Sequence, residues 1–257
     1  MRKKLMAHTV YGYPDVQASA RMIEAFDTAG VEYIEVQIPF SDPIADGPTL
    51  AHANSEAAAH VSQRDVLQFL RRTAGQRQRS QVVLMCYFQS ILSCGIERFC
   101  REASDAQVHG LIVPDLPFDQ TGYGDLVSAT ATRGLIIIPV LSPGMNRARL
   151  KRYLTPATEM IYLTTRAGVT GAHTTKQQLT DVKETIGIIR RLSPGCAIAL
   201  GFGIQTERDI INLPAECDTV VVGSAIASRL RNDGLDVAAR FVKQLLDACH
   251  SAGSQIE

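Results

Sequence analysis

Hydrophobic and polar positions change period repeatedly along this chain. Short apolar or alternating runs predict strands at Leu5–Val10, Tyr33–Ile38, Val82–Tyr87, Gly110–Val113, Leu135–Val140, Met160–Leu163, Ala197–Leu200 and Thr219–Val222. Between them lie stretches of helical period. In Asp15–Ala29, Val16, Met22, Ile23 and Phe26 fall near one face, and Gly30 follows as a stop signal. Gly110 and Gly134 sit just before strands. The runs Leu135-Ile136-Ile137-Ile138 and Thr219-Val220-Val221-Val222 are apolar on both faces, as in parallel strands covered on both sides. Such alternation leaves a doubly wound open sheet or a closed (β/α)8 barrel. Eight strand–helix units over 257 residues fit the barrel best. No Pro/Gly/Ser-rich linker divides the chain. The expectation is one α/β domain over residues 1–257, a single (β/α)8 TIM barrel, with a frayed polar tail at Ser251–Glu257.

Composition narrows the function. Hydrophobic residues make up 46%, and 26 Lys+Arg balance 26 Asp+Glu. That balance excludes a general binder of nucleic acid or anionic membrane, which needs surplus positive charge. The apolar content excludes intrinsic disorder. No apolar run approaches the roughly 20 residues that span a bilayer. The basic start Met1-Arg2-Lys3-Lys4 is not followed by the apolar stretch of a secretory signal. The six cysteines show no CxxC spacing and no histidine cluster beside them. We expect no metal site and no disulfide framework, but reduced, mostly buried thiols in a cytoplasmic protein.

Three constellations could carry chemistry. The first is Tyr33-Ile34-Glu35-Val36-Gln37-Ile38-Pro39-Phe40-Ser41-Asp42-Pro43-Ile44-Ala45-Asp46-Gly47-Pro48. Side chains alternate along a strand, so Ile34, Val36 and Ile38 share one face, and Tyr33, Glu35 and Gln37 the other. With the aliphatic set against the helices, Glu35 points into the barrel. Lost hydration there favours the protonated acid and suits it to proton donation. The proline-stiffened loop carries Ser41, Asp42 and Asp46 over the C-terminal mouth, where barrel active sites lie. Two carboxylates in different surroundings are what acid–base chemistry at neutral pH requires. The competing readings are a salt-bridged interior Glu35 and ordinary turns at Asp42 and Asp46-Gly47.

The second constellation is Gly201-Phe202-Gly203 after the seventh strand and Gly223-Ser224 after the eighth, opening a helical stretch Ala225–Arg231. Backbone N–H groups and a helix N-terminus at this place of a barrel can hold a phosphate. The same glycines could also make only tight turns. The third is Tyr162-Leu163-Thr164-Thr165-Arg166-Ala167-Gly168-Val169-Thr170-Gly171-Ala172. It reads as a closing lid in which Arg166 and Thr170 clamp the Asp46 loop and Gly171 adds an N–H to the phosphate, or as a mobile surface loop.

These residues resemble the α-subunit family of tryptophan synthase. Pro39-Phe40-Ser41-Asp42-Pro43-Ile44-Ala45-Asp46-Gly47-Pro48-Thr49 is similar to that family's hallmark motif almost residue for residue. Arg166–Gly171, Gly201-Phe202-Gly203-Ile204 and Gly223-Ser224-Ala225-Ile226 follow in the family's order, and the match runs from about Leu5 to the 240s. The resemblance implies retro-aldol cleavage of indole-3-glycerol phosphate to indole and glyceraldehyde 3-phosphate, in tryptophan biosynthesis, with no metal or organic cofactor. It implies Glu35 as the acid that protonates indole C3, with Glu35 or its neighbours also helping to remove the glycerol hydroxyl proton. It implies Asp46 as acceptor of the indole N–H, and Tyr162 beside the reacting centre. Gly171, Gly203, Gly223 and Ser224 would hold the phosphate; His8, Leu84, Ile112 and Phe202 would line the indole pocket. A β subunit carrying pyridoxal phosphate is the implied partner, in an α2β2 assembly, met by the Asp42 loop and the Gln89–Ile91 region.

Five departures from the family pattern stand out. The first strand begins without a preceding helix. His8 occupies a place usually held by a bulky aromatic; it could line the pocket or act as an extra base. Tyr13 replaces an Asp, Gln37 a Gly and Gln89 an Asn. Two other functions compete: an α-like barrel that mainly regulates a β subunit, and a barrel lyase or isomerase for another phosphorylated substrate. The Glu35–Asp46 pairing disfavours the last, since sugar-phosphate barrels more often use Lys or a metal cluster.

Overall fold

A computed structural model describes residues 2–164, 176–201 and 203–252. The elements are β1 (Lys4–Val10), α1 (Val16–Ala29), β2 (Tyr33–Gln37), α2 (Pro48–Ala58), α3 (Gln63–Thr73), β3 (Gln81–Met85), α4 (Phe88–Cys94), α5 (Ile96–Asp105), β4 (Val108–Ile112) and α6 (Tyr123–Ala131). They continue with β5 (Ile136–Ile137), β6 (Val140–Leu141), α7 (Arg147–Tyr153), β7 (Met160–Thr164), α8 (Lys176–Leu192), β8 (Ala197–Gly201), α9 (Glu207–Ile211), β9 (Thr219–Val222), α10 (Ser224–Asn232) and α11 (Leu235–Ser251).

The strands form one parallel sheet in the order β5-β4-β3-β2-β1-β9-β8-β7-β6. Its two edges are successive pieces of the same chain. The expected strand Leu135–Val140 is interrupted, because Pro139 has no N–H to donate to a ladder. The Ile138 N–H instead reaches the Leu111 carbonyl at 2.9 Å, and the Pro139 carbonyl accepts from the Tyr162 N–H at 2.9 Å. One broken strand thus bonds both edges and closes the (β/α)8 barrel.

Alternation along the strands sorts side chains into two shells. Met6, Tyr33, Val83, Met85, Ile112, Ile138, Met160, Ala199 and Val221 fill the interior. Leu5, Ala7, Ile34, Val36, Leu84, Ile161, Leu163, Ile198, Leu200, Val220 and Val222 point out under the helices. Two such shells are the reason the strands read as nearly continuous apolar runs. The N-terminal floor is tied by buried Lys3, whose ammonium donates to the carbonyls of Pro214 at 2.8 Å and Cys217 at 3.1 Å.

α1 begins and ends where its sequence signals lie. Asp15 accepts from the Ala18 N–H at 2.8 Å, and Gly30 closes the helix with φ +84°. Met22, Ile23 and Phe26 are buried, but Val16 is 42 % exposed. Ser19 takes the buried place one turn on, accepting the Gly12 N–H at 2.8 Å. Gly110 lies inside β4 rather than before it. Ser251 is the last helical residue of α11, and residues 253–257 of the expected tail lie outside the described residues.

A Cβ at Gly110 would stand 2.5 Å from Ile136 Cγ1 and 3.1 Å from the Ile136 carbonyl oxygen. Gly110 therefore permits the β4–β5 pairing at the barrel's closure. Gly110→Ala is expected to cost about 1–3 kcal/mol of stability, as overpacking does, read as a lower urea midpoint at unchanged slope. An unchanged midpoint would contradict this reading of the closure.

Candidate active site

β2 carries Glu35 into the interior, where it is 2 % exposed. The register sets His8 of β1 beside it on one side and Val83 of β3 on the other. His8 Nδ1 stands 3.4 Å from Glu35 Oε2, an ion-pair distance without hydrogen-bond alignment. His8 fits because the residue across from it is Gly223, where a Cβ would come within 3.1 Å of the imidazole Cδ2. Tyr162 of β7 depends on a glycine in the same way: a Cβ at Gly201 would lie 2.5 Å from its hydroxyl.

The loop after β2 folds back over the mouth. Turns close through the Ile44 N–H to Asp42 O and the Asp46 N–H to Pro43 O. Phe40 stacks on Tyr87 with ring centroids 5.0 Å apart. Asp46 ends buried, and its Oδ2 accepts from Gln37 Nε2 at 2.8 Å, Tyr87 OH at 2.9 Å and Asn54 Nδ2 at 3.3 Å. The Tyr87 hydroxyl also accepts the Ala45 N–H at 3.1 Å, and Asn54 Oδ1 accepts the Phe40 N–H at 3.2 Å. The loop's only strongly exposed large apolar side chain is Ile44; Ser41 and Asp42 are exposed and do not line the cavity.

Electrostatics follow from this packing. Burial holds the Asp46 carboxyl above its usual range, against the opposing pull of Gln37, His8 and Tyr87. Burial disfavours the His8 imidazolium, but Glu35 outweighs it with help from Asp46 and Gln37, so His8 stands above its ordinary value. Burial and then the carboxylates push Tyr162 up, as burial and Asp46 push Tyr87 up, so both keep their protons. Burial raises the Cys217 and Cys249 thiols to about 12; all six cysteines are free, and five are buried.

His8, Glu35, Asp46 and Tyr162 line one cavity of ≈ 330 Å³ at the C-terminal mouth, with Ile112, Gly203, Gly223 and Ser224. Gly203 has φ +62°, a conformation glycine adopts freely. Gly223 leads directly into α10, whose first N–H groups have no intrahelical acceptor. The structure thus gathers two buried carboxylates, an imidazole and a phenol at one end, and a glycine-flanked helix N-terminus at the other. This arrangement can exchange protons with one molecule while binding an anion.

Leu84 is not on the pocket wall. It is fully buried in the outer shell, in register with Val36, because β3 turns Val83 and Met85 inward. Met85 lines the cavity in its stead. Arg166, Thr170, Gly171 and Phe202 lie outside the described residues. Gln37, Asn54 and Tyr87, which brace Asp46, were not among the sequence-derived site residues. Near the expected partner face Gln89 is exposed, but Ile91 is buried in the outer shell. Among the described residues, no group of three His, Cys, Asp or Glu is placed to hold a metal, and no helix is long and apolar enough to cross a membrane.

Tyr87→Phe removes one donor from a buried carboxylate and strands the Ala45 N–H. A stability loss of about 1–3 kcal/mol is expected by urea denaturation. A variant as stable as the parent would contradict the bracing role.

Sequence and structure comparisons agree on one family. The family model for "Tryptophan synthase alpha chain" matches residues 1–253. A tryptophan synthase alpha chain of Carboxydothermus hydrogenoformans is 36% identical over 230 residues, covering 90% of this chain and 84% of that one. One from Dehalococcoides mccartyi is 33% identical over 245 residues, covering 95% and 94%. The solved structure of Mycobacterium tuberculosis tryptophan synthase superposes with a TM-score of 0.85 at 29% identity, covering 97% of this chain and 93% of that one.

Proposed function

Since the chain belongs to the tryptophan synthase alpha chain family, whose reaction is the carbon–carbon lyase cleavage of indole-3-glycerol phosphate to indole and glyceraldehyde 3-phosphate, we propose that Glu35 and Asp46 carry that chemistry here, within one barrel domain over residues 1–257. The observation behind this assignment is that both carboxylates line the same cavity from different elements, with different partners.

Asp46 accepts the indole N1–H and stabilises positive charge developing on the ring. Its three donors all meet Oδ2, which fixes the carboxylate and leaves Oδ1 for the ring. Glu35, as the acid, gives its proton to C3. The ring then draws in the electrons of the C3–glycerol bond as that bond breaks. The neighbouring hydroxyl loses its proton to the Glu35 carboxylate and becomes the aldehyde, which restores the acid. One proton goes in, one comes out, and no oxidant or reductant is needed.

Tyr162, protonated and packed on Gly201, sits beside the reacting carbons. Ile112 lines the indole pocket with Met85 and His8, and Phe202 has the same role by its place in the family motif. Gly203, Gly223 and Ser224 hold the phosphate at the α10 N-terminus, where backbone N–H groups and the helix dipole favour an anion. Gly171, Arg166 and Thr170 carry the lid and clamp roles of the motif. The chain brings no cofactor of its own; pyridoxal phosphate resides on a β subunit, its partner in an α2β2 assembly in the cytoplasm. Exposed Ile44 in the Asp46 loop and Leu92 on α4 support docking on that side, since the Ala45–Tyr87 bond ties the loop to the start of α4.

Glu35→Gln is expected to abolish indole release from indole-3-glycerol phosphate, a drop of about 10²-fold or more in kcat, while glycerol 3-phosphate still binds. Retained turnover would overturn the role of Glu35. Mixing with a cognate β subunit is expected to raise the rate of indole release; no change in either subunit's rate would overturn the partnership.

A further inference from the structure

His8 and Gln37, which the resemblance marks as departures from the family pattern, lie on neighbouring strands and face the same interior. Each uses one polar atom on a different carboxylate. His8 Nδ1 faces Glu35 Oε2 at 3.4 Å, and Gln37 Nε2 donates to Asp46 Oδ2 at 2.8 Å. Each has its other polar atom buried, with no hydrogen-bond partner among the described residues: His8 Nε2 and Gln37 Oε1. These two are complementary. An ionised carboxylate only accepts, so Asp46 fixes the Gln37 amide with its nitrogen towards Asp46 and its oxygen free. A free amide oxygen suits the second N–H of an imidazolium.

We propose that His8 and Gln37 are positioning residues that join Glu35 and Asp46 into one proton-sharing unit, in which the proton that Glu35 uses rests on either Glu35 or His8 between turnovers. The proposal rests on the assignment of Glu35 and Asp46 above. In the state ready for reaction the proton is on Glu35 and the imidazole is neutral. When C3 takes that proton, the carboxylate faces neutral His8. The hydroxyl proton then returns to Glu35 and passes to His8 Nδ1 or stays, so the pair regains the one proton it gave. With the proton on His8, Nε2–H donates to Gln37 Oε1 while Gln37 Nε2–H continues to hold Asp46.

The groups facing His8 restrict what else could set its charge. Titratable neighbours are Glu35 on β2, Asp46 in the loop after β2, and Tyr162 on β7. From β9 and the start of α10 it meets Val221, Gly223 and Ser224, none of them charged. Burial alone would lower the imidazole below its ordinary 6.5, and the paired carboxylates reverse the sign.

The decisive experiment is an NMR titration of the imidazole nitrogens in the full chain, with the His8 signal assigned by its loss in His8→Gln. The native His8 midpoint is expected at or above 6.5. It is expected to fall below that value in Glu35→Gln, and by a smaller step in Gln37→Leu. A native His8 that stays neutral down to lower pH, or a midpoint indifferent to Glu35→Gln, overturns the proposal. Should Glu35→Gln fail to fold, the native midpoint still decides, because an unpaired imidazole at this burial cannot titrate so high. A kinetic arm separates coupling from mere support. In His8→Phe, kcat is expected to fall more than KM rises, and the fall is expected to differ by about threefold or more between acid and alkaline ends of the profile. A fall of the same factor at every pH overturns it. A chain that releases no indole would defeat the assigned reaction, and the titration would still test the His8–Glu35 pair on its own.

Discussion

The parallel register between β1 and β2 is the constraint on which this site depends. It places a histidine opposite a glutamate inside a barrel, out of reach of bulk water. A carboxylate so placed is costly unless a partner of opposite charge or a proton compensates it. His8 supplies both options for Glu35. Asp46 is treated differently: three donors hold one of its oxygens, and its loop is pinned by Tyr87 and Asn54. Two carboxyl groups in one cavity therefore have different partners, an arrangement in which one can donate a proton while the other receives a hydrogen bond.

Glycines make that density of polar groups sterically feasible. Gly201 yields its side-chain space to Tyr162, and Gly223 yields its space to His8 before opening α10 towards the cavity. In the proposed assignment Gly223 serves two ends of the substrate at once. Its missing Cβ admits the imidazole near the reacting carbons, and its backbone leads into the N–H groups that suit a phosphate. The barrel's closure obeys the same economy of space, since Gly110 admits Ile136 where the interrupted strand meets β4.

Much of this was legible in the sequence. Strand phase alone sends Glu35 and Gln37 inward and Val36 outward, and the late glycines Gly203 and Gly223 fall on the cavity wall. The same phase rule, applied to β3, puts Met85 inside and Leu84 outside; the pocket residue borrowed from the family resemblance missed it by one position, enough to change face. Tyr87 also lies in the inward phase of its chain segment, so a phase count extended past the end of β3 would have found it. Asn54 shares a buried helical face with Leu50 and Ala57, which marks its burial but not its bond to Asp46. Pro139 marks its own strand break, since a proline has no N–H for the ladder, but the exposure of Val16 depends on where α1 meets its neighbours. No local pattern encodes that.

The central claim is that two differently buried carboxyl groups grip opposite edges of one indole ring. A crystal structure of the chain with indole-3-propanol phosphate, a non-cleavable analogue, addresses it directly. The ring N1 should lie about 2.7–3.2 Å from an Asp46 oxygen, with the Glu35 carboxyl against C3 and the phosphate on the N–H groups of Gly223 and Ser224. A ring bound with N1 turned away from Asp46, or with Glu35 screened from C3, would contradict it.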